Sequence, residues 1–246
     1  MIALVPGAGV SEHPANGAAL NCGTAANLSN LPVVTTAALV YVTNLSTVLG
    51  KGFVGKFNGT TLGWFMRVLG TLNVVVQVNR AGGNTSFTTT DLPVLLNTWQ
   101  WFVGQYDTSA NTAAMWTATA LPNGTTTPMR RNAGTLVAGS GALNSNTAQA
   151  HFVGGREPSS SFPGRQAVCA MWGRYLSAAD IGGIPLCDLR GTSPLGLWYP
   201  GSNGVSGSCV DESGNGNHGL YSGATLAPPA PAGLFARHHG AIGAGF

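Results

Sequence analysis

Charge is what this chain has least of. Only 8% of its 246 residues are Asp, Glu, Lys or Arg, against roughly 25% in an ordinary soluble domain. A surface so thin in charge has to be covered by Asn, Thr, Ser and Gly, and it is weakly protected from association. That suits a chain that lives inside an assembly. The formal net charge is +3, and Arg130 and Arg131 are the only adjacent basic pair. Binding by phosphate neutralisation needs a basic cluster, so nucleic acid is not expected as a partner. Glu and Lys are nearly absent while Gly numbers 36, which makes a poor mixture for helices and a good one for strands and turns.

Other absences narrow the classes further. No apolar run approaches the roughly 20 residues of a membrane helix, so no membrane partner is expected. Residues 1–10, MIALVPGAGV, have neither the basic nor the long apolar region of a signal peptide. The N-x-S/T sequons at Asn27, Asn44, Asn58, Asn84 and Asn123 therefore read as by-products of an Asn/Thr-rich surface. Cys22, Cys169, Cys187 and Cys209 contain no C-x-x-C pair, which argues against zinc. Cys187 with Cys209 is the first candidate for a disulfide, but without export free buried thiols are the preferred reading.

What is present is a succession of short strand patterns. Residues 36–44, 52–58, 63–69 and 72–79 read as strands at the spacing of an antiparallel sandwich, with turn residues at Asn58-Gly59 and Gly82-Gly83. LNTWQWFVGQYD continues the series, and Trp99 and Trp101 fall on one of its faces. Between Leu121 and Ala150 the chain is Thr, Asn, Gly and Ser, and is expected to form long exposed loops. HFVGGREPSSSFPGRQAVCAMWGRYLSAADI, residues 151–181, reads as strand, loop, strand and a short helical turn. Ser177 and Asp180 have the spacing of a capping box there.

Twelve positions in that stretch, Gly154, Gly155, Arg156, Phe162, Gly164, Val168, Trp172, Arg174, Leu176, Ser177, Asp180 and Ile181, match the segment that closes laminin G-like and concanavalin A-like jelly rolls. Trp99, Val103, Gly104, Tyr106 and Asp107 resemble a second signature of the same family. GAALNCGTAANL resembles its opening strand, with Cys22 and Gly23 where an aromatic and an acid are usual. PLGLWYPGSNGVSGSCVDESGNGNHGLYSG, residues 194–223, resembles the segment that normally precedes the first strand. Here it follows the last, as a circular permutation or a truncated second copy would have it. The first is preferred, because 52 residues cannot build a second core. The resemblance implies an all-β, antiparallel two-sheet jelly-roll sandwich over 17–223. An N-terminal arm over 1–16 and a Pro/Gly-rich arm over 224–246 would flank it.

Fold does not fix function, so each chemistry is weighed on residues. Glycoside hydrolysis needs paired carboxylates, which in the glucanases of the resembled family lie on alternate residues of one strand, and none of the eight acids here is spaced i, i+2. No G-x-S-x-G occurs. Gly214 to Gly219 spell G-x-G-x-x-G, but no helix can follow, so a dinucleotide site is excluded. Relatives in the resembled family hold Ca²⁺ at the sandwich rim, for which Asp211, Ser213, Asn215 and Asn217 are the candidates; Asx turns are the preferred reading of the same residues. Trp64, Trp99, Asp107 and Asn123 are the candidate ligand-binding residues, whereas Trp101, Trp116 and Trp172 read as core. His218 reads as a turn cap and His238-His239 as a solvated pair. The expectation is a non-catalytic structural protein on the surface of a virion, a capsid decoration or fibre-associated protein of the kind found in tailed phages, docked on capsid or other virion proteins and on copies of itself. A carbohydrate-binding module is the alternative, with a glycoside hydrolase third.

Overall fold

A computed structural model describes residues 10–13, 19–57, 62–91, 94–121, 125–156, 160–201 and 207–227. The chain opens with β1 (Val10–His13), β2 (Ala19–Asn21), β3 (Val33–Val42), β4 (Gly52–Phe57), β5 (Gly63–Val68) and β6 (Val74–Val78). It continues with β7 (Thr85–Thr89), β8 (Trp99–Asp107), β9 (Thr112–Thr119), β10 (Arg130–Arg131), β11 (Gly134–Val137) and β12 (Phe152–Val153). Next come β13 (Gly164–Trp172), α1 (Ala178–Gly183), β14 (Gly196–Trp198), β15 (Ser208–Cys209), β16 (Gly219–Ser222) and β17 (Thr225–Ala227).

These strands form two antiparallel sheets packed as a sandwich. The first runs β10-β9-β8-β3-β13-β1-β17, with β14 also on β13; the second runs β11-β7-β6-β5-β4-β12-β2-β16-β15. Their inner faces share one core built around Phe53, Trp64, Met66, Phe102, Tyr106, Met115, Phe162 and Trp198. Phe53 stacks on Phe102 at 4.9 Å and meets Phe162 edge-on at 5.4 Å. Gly104 lets the sheets approach, since a Cβ there would sit 3.1 Å from Met66 Sδ and from Val76 Cβ.

A second apolar layer covers the outer face of the first sheet. Ala37, Leu39, Trp99, Trp101, Val103, Val168, Ala170 and Trp172 meet Leu176, Ile181, Ile184 and Leu189 from the segment carrying α1. This double burial explains why VVTTAALVYV in β3 is nearly continuous in apolar residues where a sandwich strand ordinarily alternates. Ser177 caps α1 in a capping box: its Oγ accepts from Asp180 N at 3.1 Å and Asp180 Oδ2 accepts from Ser177 N at 3.1 Å.

Boundaries differ from the sequence reading at both ends. β1, inside the expected N-terminal arm, lies between β13 and β17, and β17 itself lies inside the expected C-terminal arm. Residues 1–9, 14–18 and 228–246 lie outside the described residues, His238 and His239 with them. The displaced stretch 194–223 supplies β14 to the first sheet and β15 and β16 to the second, where β16 pairs with β2. The loops expected over 121–150 carry β10 and β11, which form one edge of each sheet.

Candidate functional site

Thr117 and Thr119 stand on the same face of β9 as the core residues Ala113 and Met115, and Gln100 on the same face of β8 as Phe102. Beyond the apolar core this face turns polar. There it forms the floor of a cleft of about 280 Å³, walled by Asp91, Leu95, Thr127, Pro128 and Arg130. β10 brings Arg130 directly opposite Thr117. Thr127 Oγ1 accepts from Thr119 N at 2.9 Å, and Gln100 Oε1 accepts from Leu95 N at 2.6 Å. The wall and the floor are therefore tied together by side chains.

The charged pair of the cleft is Asp91 and Arg130. Arg130 Nη1 lies 2.6 Å from Asp91 Oδ2, and Asn132 Nδ2 donates to both carboxylate oxygens at 3.1 and 3.3 Å. Partial burial pushes the Asp91 carboxyl up, but the hydrogen bonds from Asn132 and Arg130, with the Arg130 charge, outweigh it and hold the group below its ordinary value. Asp91 is thus a fixed anion. Leu95, Pro128 and Arg130 are exposed at the mouth, so the cleft offers an anion, a cation, hydroxyls and an apolar edge to one ligand.

The ligand-binding residues expected from sequence are not brought together. Trp64 is fully buried in the inter-sheet core. Trp99 lies in the outer layer, tilted against Tyr41 at 5.4 Å and only 6% exposed. A covered ring offers no face to a ligand, so both positions are corrected to core. Asp107 sits at the far end of β8 from Trp99, where its Oδ1 accepts from Ser109 N and Ala110 N and closes the β8–β9 turn. Asn123 lies outside the described residues. Trp101 and Trp172 are core as expected, and Trp116 packs half-buried against the outer layer.

The candidate calcium loop is built for another purpose. Asp211 Oδ1 accepts from Leu197 N and Ser213 N, and Oδ2 from Asn217 N, each at 2.9 Å. Asn215 and Asn217 donate through Nδ2 to Leu195 O at 3.2 and 2.8 Å. Ser213 Oγ also engages Leu195 O, at 3.3 Å. This donor set, one carboxylate spent on three amides, does not fit Ca²⁺. Among the described residues no group of three or more His, Cys, Asp and Glu is placed to hold a metal ion. His218 Nδ1 accepts from Asp211 N at 3.0 Å, the turn-capping role expected of it.

All four cysteines are free, so the candidate bond between Cys187 and Cys209 is not formed; Cys187 is half-buried and the other three are buried. The basic residues of 151–181 are fixtures: Arg156 lies over the Phe57 ring at 4.9 Å, Arg165 over Tyr41 at 5.3 Å, and Arg174 faces Asp180 at 3.7 Å. The cleft residues Asp91, Gln100, Thr117, Thr119, Thr127 and Arg130 were not identified from sequence. Their one signal is the Arg130-Arg131 pair inside an otherwise uncharged stretch.

No family model matches the sequence, and no curated protein does. Among solved structures, a Bacteroides ovatus protein to which carbohydrate binding has been assigned aligns over 93% of this chain and 62% of its own, at TM-score 0.64 and 15% identity. The likeness is one of fold. It bears out the antiparallel two-sheet jelly-roll sandwich, and this chain spans less than two thirds of that protein's length. A Limulus polyphemus SAP-like pentraxin aligns over 74% of this chain and 77% of its own, at TM-score 0.38 and 11% identity. The enzymatically active domain of a bacteriophage CBA120 tailspike protein covers 63% of this chain and 24% of its own, at TM-score 0.40 and 12% identity. Both are too distant to carry an argument.

Proposed function

We propose that the chain is a carbohydrate-recognition module that binds through the Asp91–Arg130 cleft. The observation that carries this reading is the fixed ion pair set among threonine hydroxyls and exposed apolar surface. A sugar ring presents hydroxyls, each donor and acceptor at once, beside apolar C–H faces. Asp91 and Gln100 can accept, Arg130 can donate, the threonines can do either, and Leu95 and Pro128 can cover the apolar face. The reading is one of binding, not turnover. Asp91 is held ionised, and among the described residues the cleft lining holds no second carboxylate to work with it, whereas glycoside hydrolysis ordinarily needs one acid kept protonated beside another. The fold likeness to a protein assigned carbohydrate binding supports the same reading.

A glycan array tests it. Saturable binding to at least one glycan is expected, reduced tenfold or more by Arg130→Ala and unaffected by EDTA. A blank array overturns the reading.

The sparse charge of the chain favours a second role, as a scaffold on the surface of a virion in which the module is displayed. Leu136 and Val137 on the edge strand β11 are 44% and 53% exposed and uncharged, which suits packing against capsid neighbours or further copies of the chain. Co-sedimentation with assembled particles is the expected result. Recovery only as free protein would remove this role and leave the binding module.

A further inference from the structure

We propose that the interior of the sandwich holds a small monovalent anion of the halide class between Lys56, Trp64 and His151. Lys56 and Trp64 are directly opposed on β4 and β5, and both are fully buried. His151, also fully buried, leads into β12, which pairs with β4. Its ring lies 5.7 Å from that of Trp64 and stacks on Trp198 at 5.1 Å. Three elements thus bring an ammonium, an indole N–H and an imidazole into one neighbourhood.

Among the described residues, Lys56 Nζ, Trp64 Nε1 and both ring nitrogens of His151 have no hydrogen-bond partner. Two other buried indoles are satisfied: Trp198 Nε1 donates to Asn217 O at 2.8 Å and Trp172 Nε1 to Thr192 Oγ1 at 3.0 Å. Buried polar groups are nearly always paired, and a buried ammonium without a counter-charge is the costliest exception. No ion pair of the described residues involves Lys56. Asp211, the acid that borders the core beside Trp198, is already committed to three amides.

The chemistry of the three groups selects the occupant. Lys56 and Trp64 only donate, and a neutral imidazole adds one N–H. Burial, then the Lys56 charge, holds His151 down to about 3, so the group carries a single positive charge at neutral pH. Burial lowers Lys56 only to about 8, which leaves it mostly protonated there. Water would satisfy the donors but leave the charge. A monovalent anion satisfies both, and the aromatic surroundings favour a weakly hydrated one.

The test compares thermal unfolding of the full chain at pH 7 in sodium bromide and in sodium gluconate of equal ionic strength. The melting temperature is expected to rise saturably with bromide alone, and the rise to vanish in Lys56→Met. Crystals of the wild-type chain soaked in bromide are expected to show an anomalous peak beside Lys56 Nζ, a readout that stands even if Lys56→Met does not fold. An equal bromide response in wild type and Lys56→Met, or no peak at that position, overturns the proposal. Glycan binding has no part in either readout.

Discussion

His151 and Lys56 show how burial sets the chemistry of a side chain. His151 is held down to about 3 from 6.5, first by burial and then by Lys56. Between those values the unfolded chain takes up a proton that the folded chain refuses, so stability falls as pH drops from about 6.5 towards 3. His151→Phe should flatten that slope in a series of denaturant titrations. Lys56 follows the same charge logic on the alkaline side. Burial lowers it from 10.5 to about 8, so in halide-free buffer stability rises as pH climbs from about 8 to 10.5, and Lys56→Met should show no such rise. Asp211 is a structural carboxylate of the same precision. Removing it in Asp211→Ala strands the amides of Leu197, Ser213 and Asn217, and at roughly 1–3 kcal/mol for each buried unpaired group the loss should reach about 3 kcal/mol or more in equilibrium unfolding.

At the scale of elements, legibility followed how much of each element's environment is local. The strands β3, β4, β5, β6 and β8 were visible because alternation and turn glycines are written within a few residues. The capping box of α1 was visible for the same reason, and Ser177→Ala should cost about 1 kcal/mol in chemical denaturation. β1 and β17 were not visible, because strands of 4 and 3 residues carry no period and exist only by pairing with each other and with β13. Nor was the outer apolar layer, which covers Trp99 only once α1 is folded back onto the sheet. A tryptophan in an alternating strand has the same sequence signature whether its outward face meets solvent or a second layer. This is why Trp99 read as a binding residue and proved to be core, whereas Trp64 is core because it stands on the inner face of β5, between the sheets.

The whole molecule is a two-sheet sandwich whose proposed recognition cleft is assembled from parts remote in sequence. Asp91 follows β7, Gln100 is the second residue of β8, Thr117 and Thr119 lie at the end of β9, and Arg130 opens β10. No motif links them, and only the antiparallel register of β8, β9 and β10 places them together. The cleft therefore escaped sequence reading even though the fold that builds it did not. Its proposed role is tested most directly by titrating the isotopically labelled chain with an oligosaccharide selected on a glycan array, and following amide and arginine side-chain resonances. The expected shifts centre on Leu95, Gln100, Thr117, Thr119 and the Arg130 guanidinium, and saturate with the binding isotherm. Shifts centred instead on the Asp211–Asn217 loop or the Asp107 turn, with the cleft unmoved, would contradict it.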